Sequence, residues 1–152
     1  MATVLLTGGS GTLGKAIHDS KLFPSLLSPS KADLDITSKE SVHKFISNHD
    51  ILTIVHCAAL ARMGECEKNP MEAIKLNIQG TAHMVEETLR KEKKTGQHIR
   101  FIQISTDGVY PGTAGNYKET DAAIPYNLYG WTKLGGARLA RKFWRKHPSH
   151  CR

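Results

Sequence analysis

A chain of 152 residues, 39% hydrophobic and 23% charged, fits one domain and has the composition of an ordinary soluble globular protein with a real core. It carries no apolar run of membrane-spanning length, and Met1 to Gly8 is too short and too poor in basic residues for a secretory signal, so no membrane role is expected and the cytoplasm is the default compartment. Lys+Arg of 21 against Asp+Glu of 14 leaves +7, which welcomes anionic ligands, but no nucleic-acid-binding motif accompanies the charge and no nucleic-acid partner is expected.

Apolar runs and amphipathic stretches alternate along the chain. Thr3 to Thr7 reads as a short buried strand ending in glycines, and Thr12 to Leu22 as a helix. Leu26-Leu27-Ser28 is a second strand and Leu34-Asp35-Ile36 a very short third. Ser38 is the expected N-cap of a helix with Val42, Phe45 and Ile46 at helical spacing. Ile51 to Cys57 is a clear strand, and Met63, Glu65 and Cys66 fall in a loop facing the substrate side. Pro70 opens the longest helix, where Ile74, Ile78, Thr81, Val85 and Leu89 form a stripe that packs on a sheet.

Gly96 ends that helix, and Ile99 to Ser105 reads as the next buried strand. A Gly- and Pro-rich loop covers Asp107 to Pro125, and Tyr126 to Lys146 is helical by composition, against the weakening effect of Gly130, Gly135 and Gly136. There is no repeat and no low-complexity tract. The alternation implies one α/β domain over residues 1–152, a Rossmann-type doubly wound parallel sheet of about five strands in the order 3-2-1-4-5. Its fifth strand is an uncovered edge, and the sheet reads as incomplete at the C-terminal side.

The basic excess collects in Arg90-Lys91-Glu92-Lys93-Lys94 and in Arg138 to Arg152, which read as solvated helix ends opposing the helix dipole. Cys57, Cys66 and Cys151 follow no disulfide or metal spacing and read as free thiols. His147, His150 and Cys151 read as a frayed end, so no metal site is expected. Trp131 and Trp144 read as packing residues.

Thr7-Gly8-Gly9-Ser10-Gly11-Thr12-Leu13-Gly14 follows a strand and precedes a helix, the context a phosphate loop requires. Gly9, Gly11 and Gly14 satisfy GxGxxG, and Gly8, Gly11 and Gly14 satisfy GxxGxxG. Glycines permit the tight turn and let backbone N–H groups reach a pyrophosphate, while the positive helix end faces it. An acidic residue about twenty positions on would bind the adenosine ribose of NAD, and Ser28-Pro29-Ser30-Lys31 holds none there. A hydroxyl and a cation suit a 2′-phosphate, which favours NADP(H), with NAD(H) the alternative and a solvated loop lysine the other reading of Lys31. Asp35 is either an acceptor for the adenine amine, beside Ile36, or a cap for the helix that follows.

Tyr129 and Lys133 stand at i and i+4, on one helix face. A phenol with an unperturbed pKa of about 10 becomes useful near neutrality when a cation favours its phenolate, and the same lysine can hold a ribose hydroxyl. Ser105 and Thr106 end the preceding strand, at the carboxyl edge where ligands bind such sheets.

A glycine loop, a Ser/Thr at a strand end and YxxxK in this order resemble the extended short-chain dehydrogenase/reductase family. Ser105 to Gly112, Tyr117 to Asp121 and Pro125 to Lys133 further resemble the dTDP-4-dehydrorhamnose reductases, with their STDYVFxG, E-x-D and P-x-N-x-YGxxK segments. Leu34 to Thr37, His56 to Ala59 and Leu76 to Thr81 are similar to the LDIT, NAA and NxxGT segments of that family.

The resemblance implies an NADPH-dependent reductase of a nucleotide-linked 4-keto sugar. It makes Thr106 the substrate-polarising hydroxyl, Tyr129 the general acid, and Lys133 the lysine that holds the cofactor and lowers the phenol. Cys57, Ala58, Ala59 and Ser105 would line the cofactor, with Asn77 a structural asparagine near it. Gly108 stands where the family has tyrosine, and Met63-Gly64 where it has Val-Asp, both near the expected substrate pocket. Family members run roughly twice as far, a cofactor domain plus a substrate part, so the 152 residues alone are expected to turn over weakly, with a homodimer possible for the full-length form. The same motifs serve nucleotide-sugar epimerases and dehydratases. They also serve a non-catalytic NADP-binding regulatory subunit, the β subunit of methionine adenosyltransferase.

Overall fold

A computed structural model of the chain describes residues 3–145. In chain order it contains β1 (Val4–Thr7), α1 (Thr12–Asp19), β2 (Leu26–Leu27), α2 (Lys39–Asn48) and β3 (Thr53–His56). These are followed by α3 (Met63–Lys68), α4 (Pro70–Ile74), a π-helical turn (Lys75–Gly80) and α5 (Thr81–Thr95). Then come β4 (Arg100–Gln103), a 3-10 turn (Asp107–Val109) and α6 (Leu128–Arg145). The strands are parallel in the order β2-β1-β3-β4, with Leu5 opposite Leu27 and Ile54, and Thr7 opposite His56.

Alternation along β1 sorts the core onto two faces. Leu5 joins Ile54, Val42, Ile46, Met84 and Ile99 beneath α2 and α5. Val4, Leu6 and Val55 meet Ile17 of α1 on the other face. Helix α6 lies against α5, where Ala140 packs on Val85 and Leu89.

The expected third strand does not form. Asp35 turns its carboxylate back on the chain, where Oδ1 accepts from the Thr37 amide (2.9 Å) and hydroxyl (2.8 Å), and its carbonyl accepts from the Ser38 amide. Local side-chain bonds of this kind compete with a ladder, and here they win. Leu34 and Ile36 are nevertheless buried in the main core. The five-strand order 3-2-1-4-5 therefore becomes four strands, with the remaining neighbours as expected and β4 at an edge, its Ile102 40% exposed.

Ser38 does cap α2, its hydroxyl accepting from the Ser41 amide at 3.2 Å. Pro70 starts the long helical stretch and Gly96 ends it in the left-handed region at φ 72°. The π turn inside it was not legible as a stripe. Ile74, just ahead of that turn, is 38% exposed, while Val85 and Leu89 beyond it stay buried. Met63, Glu65 and Cys66, expected in a loop, lie on helix α3, with Cys66 fully buried. Trp131, expected to pack, is 52% exposed. The side chain of Trp144, and His147, His150 and Cys151, lie outside the described residues.

The α6 glycines form a seam. A Cβ at Gly136 would lie 2.5 Å from the Asn77 carbonyl oxygen, and one at Gly130 would strike the Gly108 carbonyl. Gly64, on α3, has open space around it. Gly-to-Ala in a helix gains about 1 kcal/mol of propensity, whereas forcing a methyl into packed backbone costs about 1–3 kcal/mol. Gly64→Ala should therefore raise the urea midpoint and Gly136→Ala lower it; a raised midpoint for Gly136→Ala would rule out the tight helix approach.

Candidate cofactor cleft and active site

The first strand runs directly into the glycine loop. Gly8 turns at φ 70°, and a Cβ there would sit 2.6 Å from the Ala58 nitrogen. A Cβ on Gly14 would strike the Gly8 carbonyl, so the first turn of α1 can seat against the loop only without one. Gly11 donates its amide to the Gly8 carbonyl at 3.0 Å. Helix α1 starts with no side-chain cap and no acidic residue in its first turn, so its positive end stays open to an anion. Ser10, Thr12 and Leu13 are exposed around it.

A cleft of about 540 Å³ runs from Gly8, Gly9 and Ser10 past Ser30 and Lys31 to the opposite wall. Asp35, Ile36, Ala58 and Ala59 complete it. A larger cavity of about 880 Å³ lies beyond the outer edge of β2 against α2 and meets the cleft at Ser28 and Pro29; it contains no part of the glycine loop. Asp35 is not the helix cap, since Ser38 is, and the Thr37 hydrogen bonds hold its carboxyl below the usual range. Asp33 was missed by the sequence reading. Its Oδ2 accepts from the Ser30 hydroxyl at 2.7 Å and amide at 3.3 Å, placing a carboxylate where the strand end itself has none.

The second group of residues converges at the β4 side. The missing Cβ of Gly130 lets the first turn of α6 sit on Gly108 and Pro125, which brings the Tyr129 end of that helix beside the turn that follows Thr106. Thr106 Oγ1 also accepts from the Gly108 amide and donates to Asp107, both at 3.1 Å. Ser105 is exposed beside it. Lys133 is buried and its ammonium donates to the Ile104 carbonyl at 2.6 Å.

Burial raises the Tyr129 phenol above its ordinary value, and the Thr106 hydrogen bond only partly opposes this. The expected lowering by Lys133 is not present. That ammonium is engaged with Ile104, and burial lowers its own pKa while the Cys57 thiol works the other way. Cys57, half-buried, is in turn pushed up by burial and pulled down by Lys133.

Asn77 serves the protein rather than the cleft. It accepts from the Leu60 amide at 2.7 Å, donates to the Leu60 carbonyl at 3.0 Å, and donates to Thr132 at 2.9 Å. It thus ties the segment after Ala59 to the helix of Tyr129 and Lys133. Behind the cleft stands His56, fully buried, to which the sequence assigned no role of its own. Thr81 donates to the Asn77 carbonyl at 2.9 Å, so it must accept from His56 Nε2–H. His56 Nδ1 is then an acceptor for the Thr7 hydroxyl at 2.7 Å, and Thr7 in turn accepts from the Ala58 amide at 3.2 Å. The column has one direction throughout. Among the described residues no group of three His, Cys, Asp or Glu could hold a metal, and no helix is long and apolar enough to cross a membrane.

The sequence pattern of the RmlD substrate binding domain matches residues 1–148. The chain belongs to that family. It is 31% identical over 145 residues to dTDP-4-dehydrorhamnose reductase of Aggregatibacter actinomycetemcomitans, covering 91% of this chain and 47% of the relative. It is 33% identical over 146 residues to methionine adenosyltransferase 2 subunit beta of Pongo abelii, covering 89% and 41%. Among solved structures, dTDP-4-dehydrorhamnose reductase of Bacillus anthracis in complex with NADP superimposes with a TM-score of 0.83 at 28% identity, covering 94% and 50%. The chain spans about half the length of the relatives it matches.

In this member of the RmlD substrate binding domain family the cleft depends on a neutral His56. Burial, with Lys133 adding to it, lowers its pKa from 6.5 to about 3. Above 6.5 the imidazole is neutral folded or unfolded; below it the unfolded chain takes up a proton that the folded one refuses. Stability should fall by up to about 1.4 kcal/mol per pH unit from this group, roughly 2 kcal/mol between about pH 7 and about pH 5. Urea titrations at the two pH values check this: His56→Gln should lose that part of the slope, and an unchanged slope would remove His56 as its source.

Proposed function

We propose that the chain, residues 1–152, is the dinucleotide-binding domain of a reductase that uses NADP(H), with NAD(H) the alternative, to reduce a 4-keto sugar carried on a nucleotide. What supports this reading best is the uncapped glycine-loop cleft together with the seating of the first turn of α6, the helix of Tyr129 and Lys133, on the turn that follows Thr106. The cradle suits the cofactor. Its backbone approaches leave no room for Cβ atoms, its helix end is uncapped, and its volume lies in the range of small-molecule sites. The names of the reductase relatives, and the NADP complex of one of them, support it further.

Gly8, Gly9, Ser10, Gly11, Thr12, Leu13 and Gly14 would bind the pyrophosphate. Ser30 and Lys31 would take the 2′-phosphate, and Asp35 and Ile36 would face the adenine. Cys57, Ala58, Ala59 and Ser105 would line the path toward the nicotinamide, with Asn77 bracing that path from behind. The bound dihydronicotinamide supplies hydride. Tyr129, held protonated by burial, gives its proton to the carbonyl oxygen, and Thr106 orients that oxygen through its hydroxyl. Lys133 spends one N–H on Ile104 and keeps two for a ribose hydroxyl. The cytoplasm is the proposed compartment and a homodimer the proposed assembly of the complete protein.

A second reading follows from the relative that is a methionine adenosyltransferase subunit: a regulatory subunit that binds dinucleotide and reduces nothing. One experiment separates the two. Tyr129→Phe should lower turnover of a nucleotide-linked 4-keto sugar about 10²–10⁴-fold while leaving NADPH affinity unchanged. Unaltered turnover would remove Tyr129 as the acid; NADPH binding with no turnover in the native protein, together with capture of a methionine adenosyltransferase catalytic subunit, would favour the second reading.

A further inference from the structure

We infer that Asp33 sets how the cleft divides its affinity between NADP(H) and NAD(H), a specificity role that rests on the dinucleotide reading above. Beyond Leu27 of β2 the chain continues through Ser28, Pro29, Ser30 and Lys31, which line the cleft. In a sheet of this type the adenosine ribose lies off that strand end. Ser30 offers a hydroxyl and an amide there, and one carboxylate oxygen of Asp33 holds both, at 2.7 and 3.3 Å. The negative charge therefore stands one hydrogen bond behind the cleft wall. Asp33 also lines the larger cavity next door, so it sits in the partition between the two.

A 2′-phosphate is acceptor-only and strongly anionic. It needs the Ser30 donors that Asp33 already uses, and it meets Asp33 charge against charge. A ribose 2′-hydroxyl has the opposite requirement, because it can donate to a carboxylate. Lys31 pulls toward the phosphate, but its charge also acts on Asp35. Ser30 and Asp33 are both exposed, so their pairing is easily exchanged, and Asp33 discriminates against the phosphate without excluding it. The turn does not need the carboxylate, since the Asp33 and Leu34 amides both donate to the Ser30 carbonyl, at 3.1 and 3.0 Å.

Fluorescence titration of NADPH and NADH against the native chain, Asp33→Asn and Lys31→Met tests the assignment without any turnover. Asp33→Asn should tighten NADPH about tenfold and leave NADH within about twofold, as expected for one charge a few ångström from a phosphate. Lys31→Met should move the ratio the other way, and both effects should shrink in about 0.5 M salt. An NADPH-to-NADH ratio unchanged in Asp33→Asn overturns the role of Asp33 while leaving the cofactor reading intact. Failure of the native chain to bind either dinucleotide overturns the cofactor reading, and this inference with it.

Discussion

The centre of this sheet is held by a column of hydrogen bonds that has only one workable direction. Ala58 N–H, the Thr7 hydroxyl, His56, the Thr81 hydroxyl and the Asn77 carbonyl follow one another with each donor and acceptor used. Reversing any link would leave a buried polar group unpaired, at about 1–3 kcal/mol. A protonated His56 fits it badly, because both ring nitrogens would donate and the Thr7 hydroxyl, accepting from Ala58 and His56 alike, would be left with its own buried proton unpaired. The column joins the end of β1, the end of β3 and the turn before α5. Those are the elements whose backbones close on Gly8, so the approach of Gly8 to Ala58 is held by a column whose central members, His56 and Thr81, do not line the cleft.

From the same turn the constraint passes to the reactive side. Asn77 uses its side chain on Leu60 and Thr132 and its carbonyl on Thr81, and Gly136 lets α6 approach that carbonyl closely. The helix carrying Tyr129 and Lys133 is thereby fixed relative to the glycine loop. Burial acts on these two side chains in opposite senses, raising the phenol and lowering the ammonium. Both shifts favour the neutral forms. The proposed role of Tyr129 as a proton donor is served by this, and the Lys133 ammonium is oriented by its bond to Ile104.

The parts of the fold legible in the sequence were those decided locally. The glycine loop, the Ser38 cap, the Pro70 start and the Gly96 stop each depend on a few neighbouring residues, and the strands β1, β3 and β4 on short apolar runs. Leu34 to Ile36 misled because an apolar pair flanking Asp35 reads as a strand, whereas the Asp35 carboxylate satisfies the following backbone as a turn. The α6 glycines read as weak helix formers, but their reason is a neighbour distant in sequence, which propensity does not see. Asp33 was invisible for a related cause. Three residues past Ser30 in sequence, it returns to that same serine only because the chain turns there.

The two halves of the candidate site differ in how much of their enclosure is already built. The cleft from the glycine loop to Ala59 has walls on both sides, from β1, from the segments after β2 and β3, and from Leu76 of the π turn. Around Tyr129 the surroundings are open, with Tyr126 70%, Ile124 56% and Trp131 52% exposed on the neighbouring loop and first turn of α6. Dinucleotide affinity, in the proposed reading, would draw on walls that the fold already supplies. The proposed turnover would instead ask Thr106 and Tyr129 to act at a surface where water competes for both hydroxyls, and electrostatic help to a developing oxyanion is weakest where water remains. In the proposed reading, binding is the better-prepared function of these residues, and reduction is the one that would still need this face shielded from water.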